Sequence, residues 1–361
     1  MPVRLQQALL RWFDAHRRDL PWRVPTGAPR GSLPPAYGVL VSEAMLQQTQ
    51  VAAVVPYFQR FMAALPTLLS LADAEEQTVL RLWQGLGYYS RARNLKKAAQ
   101  RIASDFGGKV PKTVDELLTL PGVGRYTAGA IASIAYDTPA PILDGNVVRV
   151  LCRLDKVEDD PRTPAIRDRL WQRAAELVPK KRAGDFNQSL MELGATVCTP
   201  KNPSCLLCPV RTFCRAAEAG VQERIPRPKA AKATPTFRRW VVCVRRPDGA
   251  YLLEQRPPTG RWAGLWQFAT LEADATTPTA ETLSAALGLS LKNVRPLTTV
   301  RHGLTHRQYV FDAFTAESAD APAAPPRRWA TLADMDALPM STPQLAIRAV
   351  LVPSPFGRGL G

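Results

Sequence analysis

Four of the six cysteines crowd into residues 198–214 in the pattern C-x6-C-x2-C-x5-C, at Cys198, Cys205, Cys208 and Cys214. No other feature constrains the fold as tightly, because thiols this close in sequence make the short loops between them wrap one point. Cys152 and Cys243 stand alone in apolar stretches. A disulfide framework fits poorly. The rest of the chain is nearly cysteine-free, and its start, MPVRLQQALLRWFDAHRRDL, patterns as an amphipathic helix rather than a secretory signal. Structural zinc usually pairs two C-x2-4-C knuckles across a longer gap, and only one C-x2-C occurs here. One compact run of four thiolates suits a cubane iron–sulfur cluster better than zinc.

A chain of 361 residues suffices for two or three domains, and 46% hydrophobic content suffices for their cores. No apolar run approaches membrane-spanning length. The expected compartment is reducing and cytoplasmic, with no membrane partner. The net charge is +16. Residues 1–225 carry 30 basic and 21 acidic side chains, and residues 226–361 carry 17 and 10, so the excess is not a tail. Such a balance points to a polyanion such as nucleic acid. Only His16, His302 and His306 occur. Serine–histidine–acid chemistry and histidine-rich metal catalysis are therefore disfavoured, and catalysis falls to carboxylates.

Residues 1–225 pattern as a helical domain. Apolar positions recur at three and four spacings in 5–13, 39–62, 78–86, 92–103, 127–136, 146–154, 166–178 and 186–197. Residues 226–236 have the Pro-rich, basic composition of a linker. From 237 to 351 the texture becomes α/β: Trp240–Val244, Tyr251–Glu254 and Val300–Phe314 pattern as strands, with a turn at Pro247-Asp248-Gly249. Residues 352–361 are expected to be disordered.

In Leu120-Pro-Gly-Val-Gly-Arg125, Gly122 and Gly124 precede an Ala-rich helix and follow a helical stretch from Thr113. Helix–hairpin–helix, spanning 113–135, describes this segment. It grips a phosphate with backbone amides without reading sequence; the plainer alternative is a helix corner. Glu43 sits in the apolar segment Tyr37–Leu46, where burial would favour its protonated form and suit a general acid. Alternatively it lies near a helix start and bonds free amides. Asp144 precedes Gly145-Asn146 and a helix, as an N-cap does, and that position would also keep it ionised. One neutral and one charged carboxyl is the arrangement that cleaves glycosidic bonds. Gly85–Arg93 combines a turn, Tyr88 and Arg91, an aromatic wedge flanked by phosphate contacts or else a solvated corner. Gln47-Gln48-Thr49-Gln50 is a hydrogen-bonding set that could replace pairing partners in an opened duplex.

The segments 42–51, 85–95, 120–135 and 142–151, with the four-cysteine loop, resemble adenine DNA glycosylases of the MutY type, within the helix–hairpin–helix glycosylase superfamily. The resemblance implies a monofunctional, monomeric base-excision repair enzyme that binds duplex DNA and removes adenine opposite 8-oxoguanine or guanine. It implies that Glu43 is the acid, Asp144 stabilises the sugar cation, and Tyr126 and Asn146 support them. Trp22, Arg23, Leu46 and Gln188 would surround the adenine. Gln48 and Tyr88 would enter the duplex, with Arg91, Gly122 and Gly124 also at the DNA. Thr49 and Leu86 would touch the 8-oxoguanine side, and the four cysteines would hold one [4Fe–4S] cluster. In a bacterium the protein would sit on the nucleoid.

Endonuclease III-like glycosylase/lyases are the nearest rivals, and they need a lysine directly after the hairpin arginine. Tyr126 stands there, and Val148 occupies another position where a lysine occurs in some relatives. Residues 261–268 and 302–306 resemble the Nudix-like domain of the same family. Only Glu281 lies within 278–288, so hydrolysis through a glutamate cluster is disfavoured and recognition of 8-oxoguanine by Thr305 and His306 is implied. The family's usual Phe-Ser-His is Leu304-Thr305-His306 here. The plainer alternative is that the two histidines cap a strand pair. A non-catalytic, cluster-bearing redox sensor shares the charge, hairpin and cysteines, but does not need Glu43 and Asp144 together.

Overall fold

The computed structural model describes residues 2–29, 31–227, 234–273, 277–304, 306–319 and 325–352. Residues 228–233 of the expected linker, Thr305 and the expected disordered tail from 353 onward lie outside the described residues. Contacts divide the chain into two compact units: Met1–Ala74 with Arg93–Ala230, and Glu75–Ala92 with Ala231–Gly361.

The first unit is helical. Its helices are α1 (Pro2–His16), α2 (Ala36–Leu46), α3 (Val51–Ala64) and α4 (Leu68–Asp73). Helix α5 (Glu76–Leu82) falls in the second unit. The first unit continues with α6 (Ser90–Asp105, of which the first turn belongs to the second unit), α7 (Val114–Leu118), α8 (Arg125–Tyr136), α9 (Gly145–Leu154), α10 (Pro164–Leu177), α11 (Ala183–Thr196) and α12 (Arg215–Glu218). On α1, Leu5, Leu9 and Phe13 are buried at four-residue spacing, the single apolar stripe its sequence specifies. Helix α8 is buried continuously from Thr127 to Ala135. Its small side chains let α2, α7 and α11 pack around it.

The expected apolar run 39–62 is not one helix. It divides into α2 and α3 because Gln48 takes φ 55°, a left-handed conformation that cannot continue a right-handed helix. At the start of α7, Thr113 and Glu116 form a reciprocal capping box. The turn between the helices requires glycine at 122, where φ is 77° and a Cβ would sit 2.6 Å from the Asn94 Cβ.

In the second unit, β1 (Thr236–Arg245), β2 (Tyr251–Gln255), β3 (Trp266–Glu272), β4 (Lys292–Leu304), β5 (Arg307–Glu317) and β6 (Arg327–Ala330) form one sheet, ordered β4-β5-β1-β3-β2-β6. Among the described pairings of these six strands with one another, only β1–β5 is parallel. Alternation along β1 explains the layers. Val242 and Val244 pack with Leu283 and Leu287 of α13 (Ala280–Leu287), while Val241 and Cys243 pack with Ile347 of α14 (Thr342–Leu351). The stretch 300–314 patterns as one strand in sequence but folds as the end of β4 and most of β5, paired antiparallel. Among the described residues, no helix is long and apolar enough to cross a membrane.

Candidate active site

A cavity of about 150 Å³ in the helical unit gathers side chains from α2, α8, α9, α11 and the loop after α1. Its lining includes Glu43, Asp144, Tyr126, Asn146, Trp22, Arg23, Leu46, Gln188 and Thr49. Segments that no local sequence pattern connects therefore meet at one place.

Glu43 is 5% exposed and lies in the eighth position of α2, not near its start. The free amides of a helix N-terminus are out of reach, so the structure overturns that alternative. Its Oε2 is buried without a hydrogen-bond partner among the described residues. Burial pushes the Glu43 carboxyl up to about 7; the Tyr126 hydroxyl and Arg23 oppose the rise, and the charge of Asp144 adds to it. The Tyr126 hydroxyl itself lies 3.3 Å from Met191 Sδ. Burial, with the nearby Glu43 and Asp144, holds this phenol far above its ordinary range and therefore neutral.

Asp144 is differently placed. It N-caps α9: Oδ1 accepts from the Val147 backbone N–H at 2.7 Å and Oδ2 from Asn146 Nδ2 at 2.9 Å. Two donors at a helix N-terminus fix both of its oxygens in place. Asn146 is itself fixed. Its Oδ1 accepts from Arg149 at 2.8 Å, and its Cβ lies where α9 crosses α11 so closely that a Cβ on Gly194 would be 2.6 Å away. The two carboxyl groups thus share a cavity but not an environment.

Charged residues that the periodicities do not single out complete the wall. Glu192 on α11 is buried and accepts from Arg18 Nε at 2.6 Å and Arg23 at 2.9 Å. Burial alone would raise the Glu192 carboxyl, but its bonds and attractions to the two arginines leave it lowered. Burial lowers Arg23 against the attraction of Glu192. The one available signal is a glutamate inside the apolar run 186–197. Trp22 packs edge-on against Phe58 at 5.3 Å, which fixes its ring in the wall.

The four cysteines, none of them in a disulfide, line one small cavity of about 20 Å³ with Arg153 and Arg211. Arg153 is buried and donates to the carbonyls of Thr199 and Ile225 and to Cys198 Sγ, at 2.7, 2.8 and 3.2 Å. Arg149 donates to the Cys198 carbonyl at 2.7 Å while holding Asn146. Among the described residues no set of His, Cys, Asp or Glu is gathered tightly enough to be a ready-made metal site. The four thiols around a single cavity, with two arginines beside them, are nevertheless the donor set that an anionic thiolate cluster requires.

The remaining candidates are not among the residues that line the cavity around Glu43. Gly122 and Gly124 lie exposed at the start of α8, whose first amides have no side-chain cap. Gln48 is exposed, and both it and Tyr88, at φ 50°, hold left-handed conformations unusual for such residues. Leu86 is buried in the second unit, and His306 is exposed beside the β4–β5 turn. Burial lowers the His302 imidazole, whose ring lies 6.2 Å from that of Trp262. The sequence pattern places Arg91 at a phosphate. Instead it is buried, donates to the Leu86 and Gly87 carbonyls at 3.3 and 3.2 Å, and stacks on Trp83 and Tyr88. Those carbonyls converge on it, so its guanidinium supports the turn.

Residues 41–176 match the HhH-GPD superfamily base excision DNA repair protein family, and residues 240–349 match the NUDIX domain. The chain is 39% identical to the adenine DNA glycosylase of Mus musculus over 90% of its own length and 73% of the relative's. It is 43% identical to that of Rattus norvegicus, over 72% and 59%. A solved thermostable thymine-DNA glycosylase superposes with TM-score 0.52 and 28% identity, over 60% of this chain and 97% of that one.

Proposed function

The chain belongs to the adenine DNA glycosylase family, and from that premise we propose that it hydrolyses the N-glycosidic bond of adenine opposite 8-oxoguanine or guanine in duplex DNA. One observation carries the mechanism: Glu43 is buried, pushed up to about 7 and left with an unpartnered oxygen, in the same cavity as the fully bonded Asp144. The adenine would leave the base stack and enter this cavity, between Trp22, Arg23, Leu46 and Gln188. Protonated Glu43 donates to N7 of adenine. The bond between C1′ and N9 breaks, and its electron pair leaves with the now neutral base. Asp144 stabilises the sugar cation, and Glu43, now ionised, takes a proton from the water that adds at C1′. Tyr126 and Asn146 hold the two carboxyl groups in place.

Gly122 and Gly124 would grip a phosphate, and Gln48 and Tyr88 would enter the opened duplex. Thr49, Leu86, Thr305 and His306 would meet the 8-oxoguanine side. Cys198, Cys205, Cys208 and Cys214 would hold one [4Fe–4S] cluster, which shapes a basic loop bearing Lys201, Arg211 and Arg215 for the phosphate backbone. The protein would act as a monomer, in the compartment that holds the DNA. The test is single-turnover excision on duplexes carrying A opposite 8-oxoguanine, A opposite G, and thymine glycol. Release of adenine from the first two is expected, and release from thymine glycol alone would overturn the proposal.

A further inference from the structure

We propose that Gln84 and Tyr89 are positioning residues that fasten the Tyr88 wedge to the sheet of the C-terminal unit, so that the wedge and the β4–β5 hairpin meet DNA as one body. This rests on the reading of Tyr88 as a side chain that enters the duplex.

The turn that carries Tyr88 is held from beneath. Leu86 N–H donates to the Trp83 carbonyl at 3.1 Å, Trp83 Nε1 donates to the Gly87 carbonyl at 3.1 Å, and Arg91 donates to the Leu86 and Gly87 carbonyls. Above them Tyr88 is 45% exposed in a left-handed conformation, which a bulky residue keeps only where its surroundings over-determine it. The residues that flank the turn both bind one buried residue far along the chain. Gln84 Oε1 accepts from the Met340 N–H at 2.8 Å, and the Tyr89 hydroxyl donates to the Met340 carbonyl at 3.3 Å while accepting from Gly85 N–H. Met340 is fully buried and bridges Trp266, the first residue of β3; Trp266 N–H donates to the neighbouring Pro339 carbonyl at 2.8 Å. A third fastening lies on α5, where Gln77 Nε2 donates to the Gly264 carbonyl at 3.2 Å, just before β3. From β3 the sheet runs through β1 and β5 to β4.

An aromatic ring driven between stacked bases experiences an opposing force, and a loose mount would let it recoil. With the ring braced on the sheet that ends in the β4–β5 hairpin, contact with the base opposite the adenine and opening of the pair become one event. Discrimination between 8-oxoguanine and guanine then depends on the mount as well as on the side chains that touch the lesion.

The test uses the full chain with Tyr89→Phe, which removes one hydroxyl, Gln84→Met, which removes one acceptor at similar length, and the double variant. Single-turnover excision is measured for adenine opposite 8-oxoguanine, opposite guanine, and in an unpaired bulge where no stack must be opened. The double variant should lose about tenfold on A opposite 8-oxoguanine, the size of two ordinary hydrogen bonds, and should keep the wild-type rate on the bulge. A 2-aminopurine beside the adenine should show less unstacking, and Gln84→Glu, which keeps the acceptor, should restore it. Equal losses on all three substrates, or no loss on any, would overturn the proposal. A wild-type chain that excised adenine from none of them would instead overturn the glycosylase reading.

Discussion

Replacing Glu43 by glutamine should stabilise the protein while abolishing its chemistry, and the gain should depend on pH. Burial pushes the Glu43 carboxyl from the ordinary 4.5 to about 7. Below 4.5 the group is protonated in folded and unfolded chains alike, and it costs nothing. Between 4.5 and 7 the unfolded chain ionises and the folded chain does not, so stability falls as pH rises. Above 7 the whole penalty is present, about 3 kcal/mol at about 1.4 kcal/mol per tenfold change in the proton equilibrium. Glutamine resembles the protonated acid and does not titrate. Urea unfolding of both chains at pH 5 and pH 8 should therefore show a difference that grows by about 2 to 3 kcal/mol toward the higher pH. A difference equal at the two values would mean that Glu43 is not a buried, strained acid, and the mechanism built on it would fall. Because burial is the largest cause and Asp144 adds to it, Asp144→Asn should narrow the window from above.

Excision by the wild-type chain should decline above pH 7 as the acid form of Glu43 is lost, visible as an alkaline limb in the single-turnover rate; a flat profile to pH 9 would contradict the acid role. Asp144→Asn should bind duplex normally yet release adenine at least a hundredfold more slowly, about the contribution of one well-placed charge, and wild-type rates would remove its cation-stabilising role. Cys208→Ser should weaken DNA binding and lower the thermal midpoint more than it slows excision once bound; intact folding and binding without cleavage would argue against a staple. Gly194→Ala should cost about 1 to 3 kcal/mol, because its Cβ would press on Asn146, and it should slow excision through Asp144; an unchanged thermal midpoint and rate would show that α9 and α11 can separate without harm.

The hairpin, the cysteine run and the Asp144 cap are legible in the sequence alone. They are local arrangements, set by residues within a few positions of one another, and their spacing survives in the fold. Contact across the chain is not legible in that way. Glu192 meets Arg18 and Arg23 over sequence separations of 174 and 169, and no periodicity records that. Arg91 patterns as a solvated cation because its neighbours in sequence are polar. Only the folded turn brings the Leu86 and Gly87 carbonyls round to it. The position of Glu43 inside α2 is obscured because Tyr37–Leu46 carries no cap to mark where the helix begins. Gln48 is hidden for the converse reason: the apolar pattern continues across it while the backbone reverses its hand.

The mounting of the 75–92 segment has a consequence for how the chain is made. Gln84 leaves the ribosome 256 residues before Met340, the partner that completes its bonding. At about 5–20 residues per second this is a wait of roughly ten to fifty seconds. Throughout it, the helical unit can close around α8 while a glycine- and tyrosine-rich excursion stays without its sheet. A chain halted before β3 would display that excursion permanently, so protease sensitivity at 83–90 should distinguish unfinished chains from complete ones.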